Sequence, residues 1–140
     1  MKKSLIDAGP LIALFDKDDK FHKSVKKFIK SYKGNLYTSW AVITEILHML
    51  DFSVNVQIDF LKWINLGGLE AVHLSQKHLS RIIKLSEEYS GLPMDFADAT
   101  LIIISEIKEI DEIISIDSDF YIYRNIRNKF LKNIFEDEKR

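Results

Sequence analysis

The stretch Leu92-Pro93-Met94-Asp95-Phe96-Ala97-Asp98-Ala99-Thr100-Leu101, with Ile102-Ile103-Ile104 behind it, leaves few folds open to this chain. Pro93 suits the approach to a helix, where its missing N–H costs nothing. Asp95 and Asp98 are three residues apart, so they share one helix face, one turn from each other. Carboxylates in a first turn are favoured by the helix dipole. Behind this acidic tip the helix is almost wholly apolar, as a helix buried against a sheet is. The tip is either a capping device or part of a metal site.

Short strands alternate with helices along the rest of the chain. Lys3-Ser4-Leu5-Ile6-Asp7 reads as a strand ending in an acid. Ala8-Gly9-Pro10 breaks it, and a buried helix follows over 11–15. Residues 16–33 form a second helical stretch, with Phe21, Val25, Phe28, Ile29 and Tyr32 at helical spacing and lysines elsewhere. His22, three residues after Asp19, reads there as a structural contact. Asn35-Leu36-Tyr37-Thr38-Ser39 is a second strand, and Ser39 caps a helix over 40–50 whose apolar positions are Val42, Ile43, Ile46, Leu47 and Leu50. Glu45 lies inside that pattern, where burial is costly unless the carboxylate is paired or holds a cation; by itself such a Glu is more often a satisfied edge residue.

A helix over 54–66 presents Ile58, Leu61, Trp63 and Ile64, and Gly67-Gly68 ends it. Residues 69–74 alternate as a third strand. Ser75 caps a helix over 75–90 with Leu79, Ile82, Ile83 and Leu85 inward. Glu112-Ile113-Ile114-Ser115-Ile116 is a fourth strand, ending in Asp117-Ser118-Asp119-Phe120. A last edge strand is expected near 131–135, followed by a frayed tail over 136–140. His48, His73 and His78 lack metal-ligand spacing and read as structural or surface residues. With no repeat or linker, residues 1–140 read as one domain.

This alternation predicts an α/β fold with a mainly parallel sheet and helices on both faces. Right-handed crossovers place the carboxyl ends of the strands on one edge. That edge collects Asp7, Asp117 and the helix start bearing Asp98, with Glu45 joining if its helix follows the second strand.

Composition narrows the chemistry. A chain of 140 residues is long enough to bury a real core. It contains no cysteine, which removes disulfides and thiolate metal sites, and it has neither a membrane-spanning run nor a signal-peptide pattern. A cytoplasmic protein is expected. The net charge of −1 conceals a segregation. Residues 1–33 carry nine Lys against four Asp, 34–123 carry five Lys/Arg against fourteen Asp/Glu, and 124–140 carry six Lys/Arg against three Asp/Glu. An acidic site rimmed by positive charge would suit a phosphate-rich substrate; a solvated basic helix face is the plainer reading.

Two carboxylates about 5 Å apart repel by about 3 kcal/mol at an effective dielectric near 20. Four together need protons or cations. Hard oxygen donors without cysteine or histidine point to Mg2+ or Mn2+ rather than zinc. Such a metal supplies a water nucleophile and neutralises a phosphodiester, so a metal-dependent nuclease is the sharpest reading of these acids.

At this point a resemblance enters. Asp7-Ala8-Gly9-Pro10-Leu11-Ile12-Ala13-Leu14-Phe15-Asp16, with Asp19 and His22 after it, resembles the opening of PIN-domain proteins, above all the VapC-like toxins of toxin–antitoxin pairs. Thr44-Glu45-Ile46-Leu47, Asp95-Phe96-Ala97-Asp98-Ala99-Thr100-Leu101 and Ser115-Ile116-Asp117-Ser118-Asp119-Phe120 are similar to their second, third and fourth motifs. The resemblance implies a three-layer α/β/α sandwich and a Mg2+- or Mn2+-dependent ribonuclease. It implies Asp7, Glu45, Asp98 and Asp117 as the acidic quartet, with Asp7 and Asp98 as direct metal ligands. Asp95, Asp119 and Ser115 are accessory residues. It also implies an RNA substrate, a homodimer and inhibition by a cognate antitoxin.

Two departures from the family pattern stand out. The helix after Asp98 is bulky where the family has small residues, which predicts looser or differently spaced packing on the sheet. The usual glycine before the fourth strand is replaced within Lys108-Glu109-Ile110-Asp111. Phosphotransfer to an aspartate fits less well, because Asp7 is followed by Ala8 and Gly9 and no Asp-x-Asp occurs there. A housekeeping RNA-processing nuclease and a non-catalytic RNA- or protein-binding module are the remaining alternatives.

Overall fold

The computed structural model describes residues 2–135. The tail expected over 136–140 lies outside the described residues. The strands are β1 (Lys3–Ile6), β2 (Asn35–Ser39), β3 (Glu70–Val72), β4 (Glu112–Ile114) and β5 (Lys132–Asn133). The helices are α1 (Ala8–Phe15), α2 (His22–Ser31), α3 (Trp40–Met49), α4 (Val54–Asn65), α5 (Leu79–Glu88) and α6 (Phe96–Lys108), with 3₁₀ turns at Gln76–His78 and Asp119–Tyr121.

The sheet runs β3-β2-β1-β4-β5, and each neighbouring pair is parallel. Leading from β1 through β2 to β3, the chain steps one way. It then crosses back to β4 on the far side of β1. Right-handed crossovers therefore set α1–α4 on one face and α5–α6 on the other. The expected α/β layers with a parallel centre are what is found. The reversal also opens a crevice between β1 and β4 at their carboxyl ends, where open parallel sheets take their ligands.

Local chemistry explains most boundaries, and some differ from expectation. Ala8-Gly9-Pro10 does not break the chain: α1 starts at Ala8, and Pro10 sits in the first turn, where its missing N–H has no partner to lose. Asp16–Phe21 is a turn rather than helix, held by Asp19 Oδ1 accepting the Phe21 N–H at 2.8 Å. In α4 the buried residue is Phe60, edge-on to Phe15 at 5.3 Å, while Ile58 and Leu61 are exposed. In α5, Ile82 and Leu85 are buried, and Leu79 and Ile83 face outward. Apolar residues on both faces of these helices had hidden the phase of the buried stripe.

α6 is buried over most of its length. Of residues 97–105, Asp98 alone is not buried. The helix packs against α5, β2 and α3, and Leu101, Ile102, Ile103 and Ile104 are all buried there. Its far end shows how the chain manages without glycine: Glu109 itself adopts the left-handed conformation, φ 54°, and its N–H bonds the Ser105 carbonyl.

Candidate active site

Asp7 ends β1 and caps α1. Its N–H continues the ladder to the Ile114 carbonyl at 3.0 Å, which fixes the residue against β4. Its Oδ1 accepts the Ala8 N–H at 2.8 Å, and its Oδ2 accepts the Ser115 hydroxyl at 3.2 Å. The carboxyl group is buried at the crevice. Burial above all, then the charges of Asp117 and Glu45, push its pKa up to about 7, against the opposing pull of the Ala8 and Ser115 bonds.

Asp98 enters from the other face of the sheet, in the first turn of α6. Asp95 is the N-cap, and the two acids form a reciprocal capping box: Asp95 Oδ1 accepts the Asp98 N–H at 2.8 Å, and Asp98 Oδ2 accepts the Asp95 N–H at 3.4 Å. Tyr123 donates its hydroxyl to the same Oδ2 at 3.3 Å. Burial, followed by the charges of Asp7, Asp95 and Asp117, raises the Asp98 pKa to about 8. Asp7, 91 residues earlier in the chain, thus helps hold Asp98 towards the neutral form.

The other acids surround this pair. Asp117 is exposed, with Oδ1 taken by the Asp119 N–H at 2.9 Å. Asp119 starts the following 3₁₀ turn, and partial burial and then Asp117 raise its pKa. Glu45 is exposed on α3 rather than buried in its apolar pattern, because the α3 stripe through Val42, Ile43 and Ile46 turns it outward. Partial desolvation and Asp95 still raise its pKa. Among the described residues, no three acidic or histidine side chains converge tightly enough to hold a metal ion. Asp7, Asp95, Asp98 and Asp117 each accept a nearby backbone N–H.

Several supporting residues carry no motif. Asn133 on β5 clamps Ser115: its Oδ1 accepts the Ser115 N–H at 3.2 Å and its Nδ2 donates to the Ser115 carbonyl at 2.9 Å. Thr38 donates to the Ile6 carbonyl at 2.8 Å, steadying β1 just before Asp7. The Thr100 hydroxyl lies 2.8 Å from Ser39 Oγ, and Ser39 in turn caps α3. That link ties the helix of Asp98 to the helix of Glu45. Tyr123 is fully buried between Tyr89 and Phe120, both edge-on to it. Burial and then Asp98 push its phenol well above the usual range. In the sequence these four are ordinary polar and aromatic residues; only the fold gives them a role. His22 bonds the Ala13 carbonyl through Nδ1 at 2.7 Å, and His78 accepts the Ser75 N–H, so both are structural.

Beside the acids, at the carboxyl ends of β2 and β3, lies a mostly apolar groove of about 420 Å³ bordered by Trp40, Leu74, Leu79, Ile82 and Phe96. None of the acids lines it.

The donor set suits a hard divalent cation. Mg2+ commonly takes only one or two carboxylates, and water and substrate phosphate complete its shell. Asp7 and Asp98, both oxygen donors whose ionised forms burial disfavours, suit that demand. They do not make a closed protein cage.

A family model described as PIN domain matches residues 4–125. No curated protein sequence gives a match. Among solved structures, VapC20 of Mycobacterium tuberculosis, described as a sarcin–ricin loop cleaving toxin, is 19% identical with a TM-score of 0.75, over 84% of this chain and 92% of that one. A toxin–antitoxin complex from Klebsiella pneumoniae is 19% identical with a TM-score of 0.62, over 84% and 89%. PAE2754 from Pyrobaculum aerophilum is also 19% identical, with a TM-score of 0.54 over 86% and 85%. These likenesses concern the fold.

Proposed function

Because the chain belongs to the PIN-domain family, we propose that it is a Mg2+- or Mn2+-dependent endoribonuclease, the toxin of a toxin–antitoxin pair, acting in the cytoplasm as one nuclease domain. The observation that carries this reading is the pair Asp7 and Asp98. They come from opposite faces of the sheet to the crevice at its reversal, burial raises the pKa of both, and the charge of Asp7 adds to the rise at Asp98.

In this reading Asp7 and Asp98 hold the ion, and Glu45 and Asp117 complete the acidic quartet. A bound divalent cation would neutralise a phosphodiester oxygen and make water a nucleophile at neutral pH. Ser115 orients Asp7 through its hydroxyl, and Asn133 holds Ser115. Tyr123 fixes the Asp98 oxygen that the capping box also engages. Asp117, with Oδ1 engaged by Asp119, keeps Oδ2 for the proton of the attacking water. Asp95 supports Asp98 from the helix cap.

RNA as substrate is supported by the family and by the likeness to VapC20, a sarcin–ricin loop cleaving toxin. A cognate antitoxin is supported by the Klebsiella toxin–antitoxin complex, and a homodimer by the family resemblance. No helix among the described residues is long and apolar enough to cross a membrane.

The test is cleavage of RNA by the purified protein with Mg2+ or Mn2+. EDTA should abolish it. Asp98→Asn should lower it by more than the about 10–100-fold typical of losing a supporting partner. Cleavage indifferent to both treatments would sink the mechanism. Growth arrest on expression of the wild type but not of Asp98→Asn separates a toxin from a housekeeping nuclease.

A further inference from the structure

The acidic edge that would cut RNA also repels it, so the strand has to be held elsewhere. We propose that the lysine face of α2, formed by Lys23, Lys26, Lys27 and Lys30 with Lys33 just beyond the helix, binds the phosphate backbone of the RNA. The proposal rests on the ribonuclease reading above and gives that site its substrate track.

α2 has the sequence HKSVKKFIKS, so four lysines fall at i, i+3, i+4 and i+7, on one face, with no carboxylate anywhere in the helix. All four, and Lys33, are exposed. The ion pairs among the described residues are Lys2–Glu112, Arg81–Glu106 and Lys108–Glu70, and none involves an α2 lysine. Like charges at these spacings destabilise a helix, and nothing within the helix offsets them. The other charged helices differ: α4 mixes Asp59 with Lys62, α5 mixes Arg81 and Lys84 with Glu87 and Glu88, and the first turn of α6 is acidic.

The opposite face of α2 is already in use. Val25 is fully buried, Phe28 is edge-on to Phe135 at 5.4 Å, and the Tyr32 hydroxyl donates to Ser4 Oγ at 2.8 Å. The helix therefore has no apolar face to lay into a lipid surface, which argues for a soluble polyanion. Its cations are all lysine; the chain has no arginine before Arg81. Flexible point charges suit a phosphate backbone read without sequence, whereas planar pairing with carboxylates of an acidic peptide favours arginine.

Position sets this face beyond the far end of α1, with its last lysines towards the edge of the sheet opposite the carboxylates. α1 begins at Asp7 and spans about 12 Å. His22, at the start of α2, bonds the Ala13 carbonyl near the end of α1. α2 adds about 15 Å, ending where Tyr32 meets Ser4 near the start of β1. The lysines thus run from the flank of α1 away from the carboxylates, along a path several nucleotides long.

The experiment measures binding of a labelled single-stranded RNA about 20 nucleotides long, in EDTA so that nothing is cut, as salt is varied. Compared with wild type, the variant Lys23→Gln, Lys26→Gln, Lys27→Gln, Lys30→Gln should bind at least about tenfold more weakly, with a log–log salt slope smaller by up to about 3. Replacing the same four lysines by arginine should restore both. An unchanged affinity and slope overturns the proposal. So does a wild-type lysine face that binds anionic phosphatidylserine vesicles or polyglutamate but not RNA. Metal-dependent cleavage with lysine-independent binding would fail this proposal and leave the nuclease reading intact. Lysine-dependent binding without cleavage under Mg2+ or Mn2+ would do the reverse.

Discussion

Asp98 serves two structures with one carboxylate. As part of the capping box it completes α6, and as the partner of Asp7 it faces the crevice. Tyr123 supports the double duty, because its hydroxyl donates to Oδ2, the same oxygen that accepts the Asp95 N–H of the cap. Tyr123→Phe should therefore leave the fold in place, at a cost of about 1 kcal/mol in chemical unfolding. In a Mn2+ titration followed by tryptophan fluorescence it should weaken binding by about 10–100-fold; unchanged Mn2+ affinity would remove Tyr123 from the site. The capping role of Asp95 was readable from its spacing to Asp98 and its place at the mouth of an apolar run. Tyr123 and Asn133 were not, since each lies in irregular or very short structure, where no periodicity marks which way a side chain points. Glu45 shows the opposite difficulty: apolar neighbours in sequence do not bury a residue on the outward side of its helix.

At the level of elements, the boundaries of β2 and α3 were legible because Ser39 both ends the strand and caps the helix. The buried faces of α4 and α5 were not. An apolar residue at nearly every turn gives a composition but no phase, and the partners that choose the phase, Phe15 for Phe60 and the neighbouring α6 for Ile82 and Leu85, are distant in sequence. The end of α6 carries a cost that the chain accepts. Glu109 holds φ 54° and ψ 50°, a conformation that glycine adopts without strain. Glu109→Gly should stabilise the protein by about 0.5–1 kcal/mol in urea unfolding, through relief of that strain. A loss of stability would mean that the Glu109 side chain contributes more than its backbone costs.

For the whole molecule, the parallel sheet turns a charge pattern along the chain into one across it. Lys2, Lys3, Lys33 and Lys132 lie at or next to the amino ends of strands, and Asp7, Asp117 and the acidic start of α6 lie at the opposite edge. Stability should follow the acidic edge. In the unfolded chain Asp7 and Asp98 titrate near 3.8, and in the fold near 7 and 8. Between about pH 4 and pH 8 the unfolded chain gives up protons that the folded chain keeps, so metal-free protein loses stability as pH rises. Thermal melts should show a lower Tm at pH 8 than at pH 5, and Mn2+ should raise Tm at pH 8 far more than at pH 5, because the cation binds the deprotonated acids. Asp98→Asn should flatten both differences; a Tm independent of pH and Mn2+ would contradict the coupling of the two acids. The clamp at Asn133 has a further meaning in time. Asp7, Glu45, Asp98 and Asp117 are all made by residue 117, yet the side chain that fastens Ser115, and through it Asp7, arrives sixteen residues later on the last described strand. A growing chain therefore carries those four acids before it has the amide that sets the first of them in place.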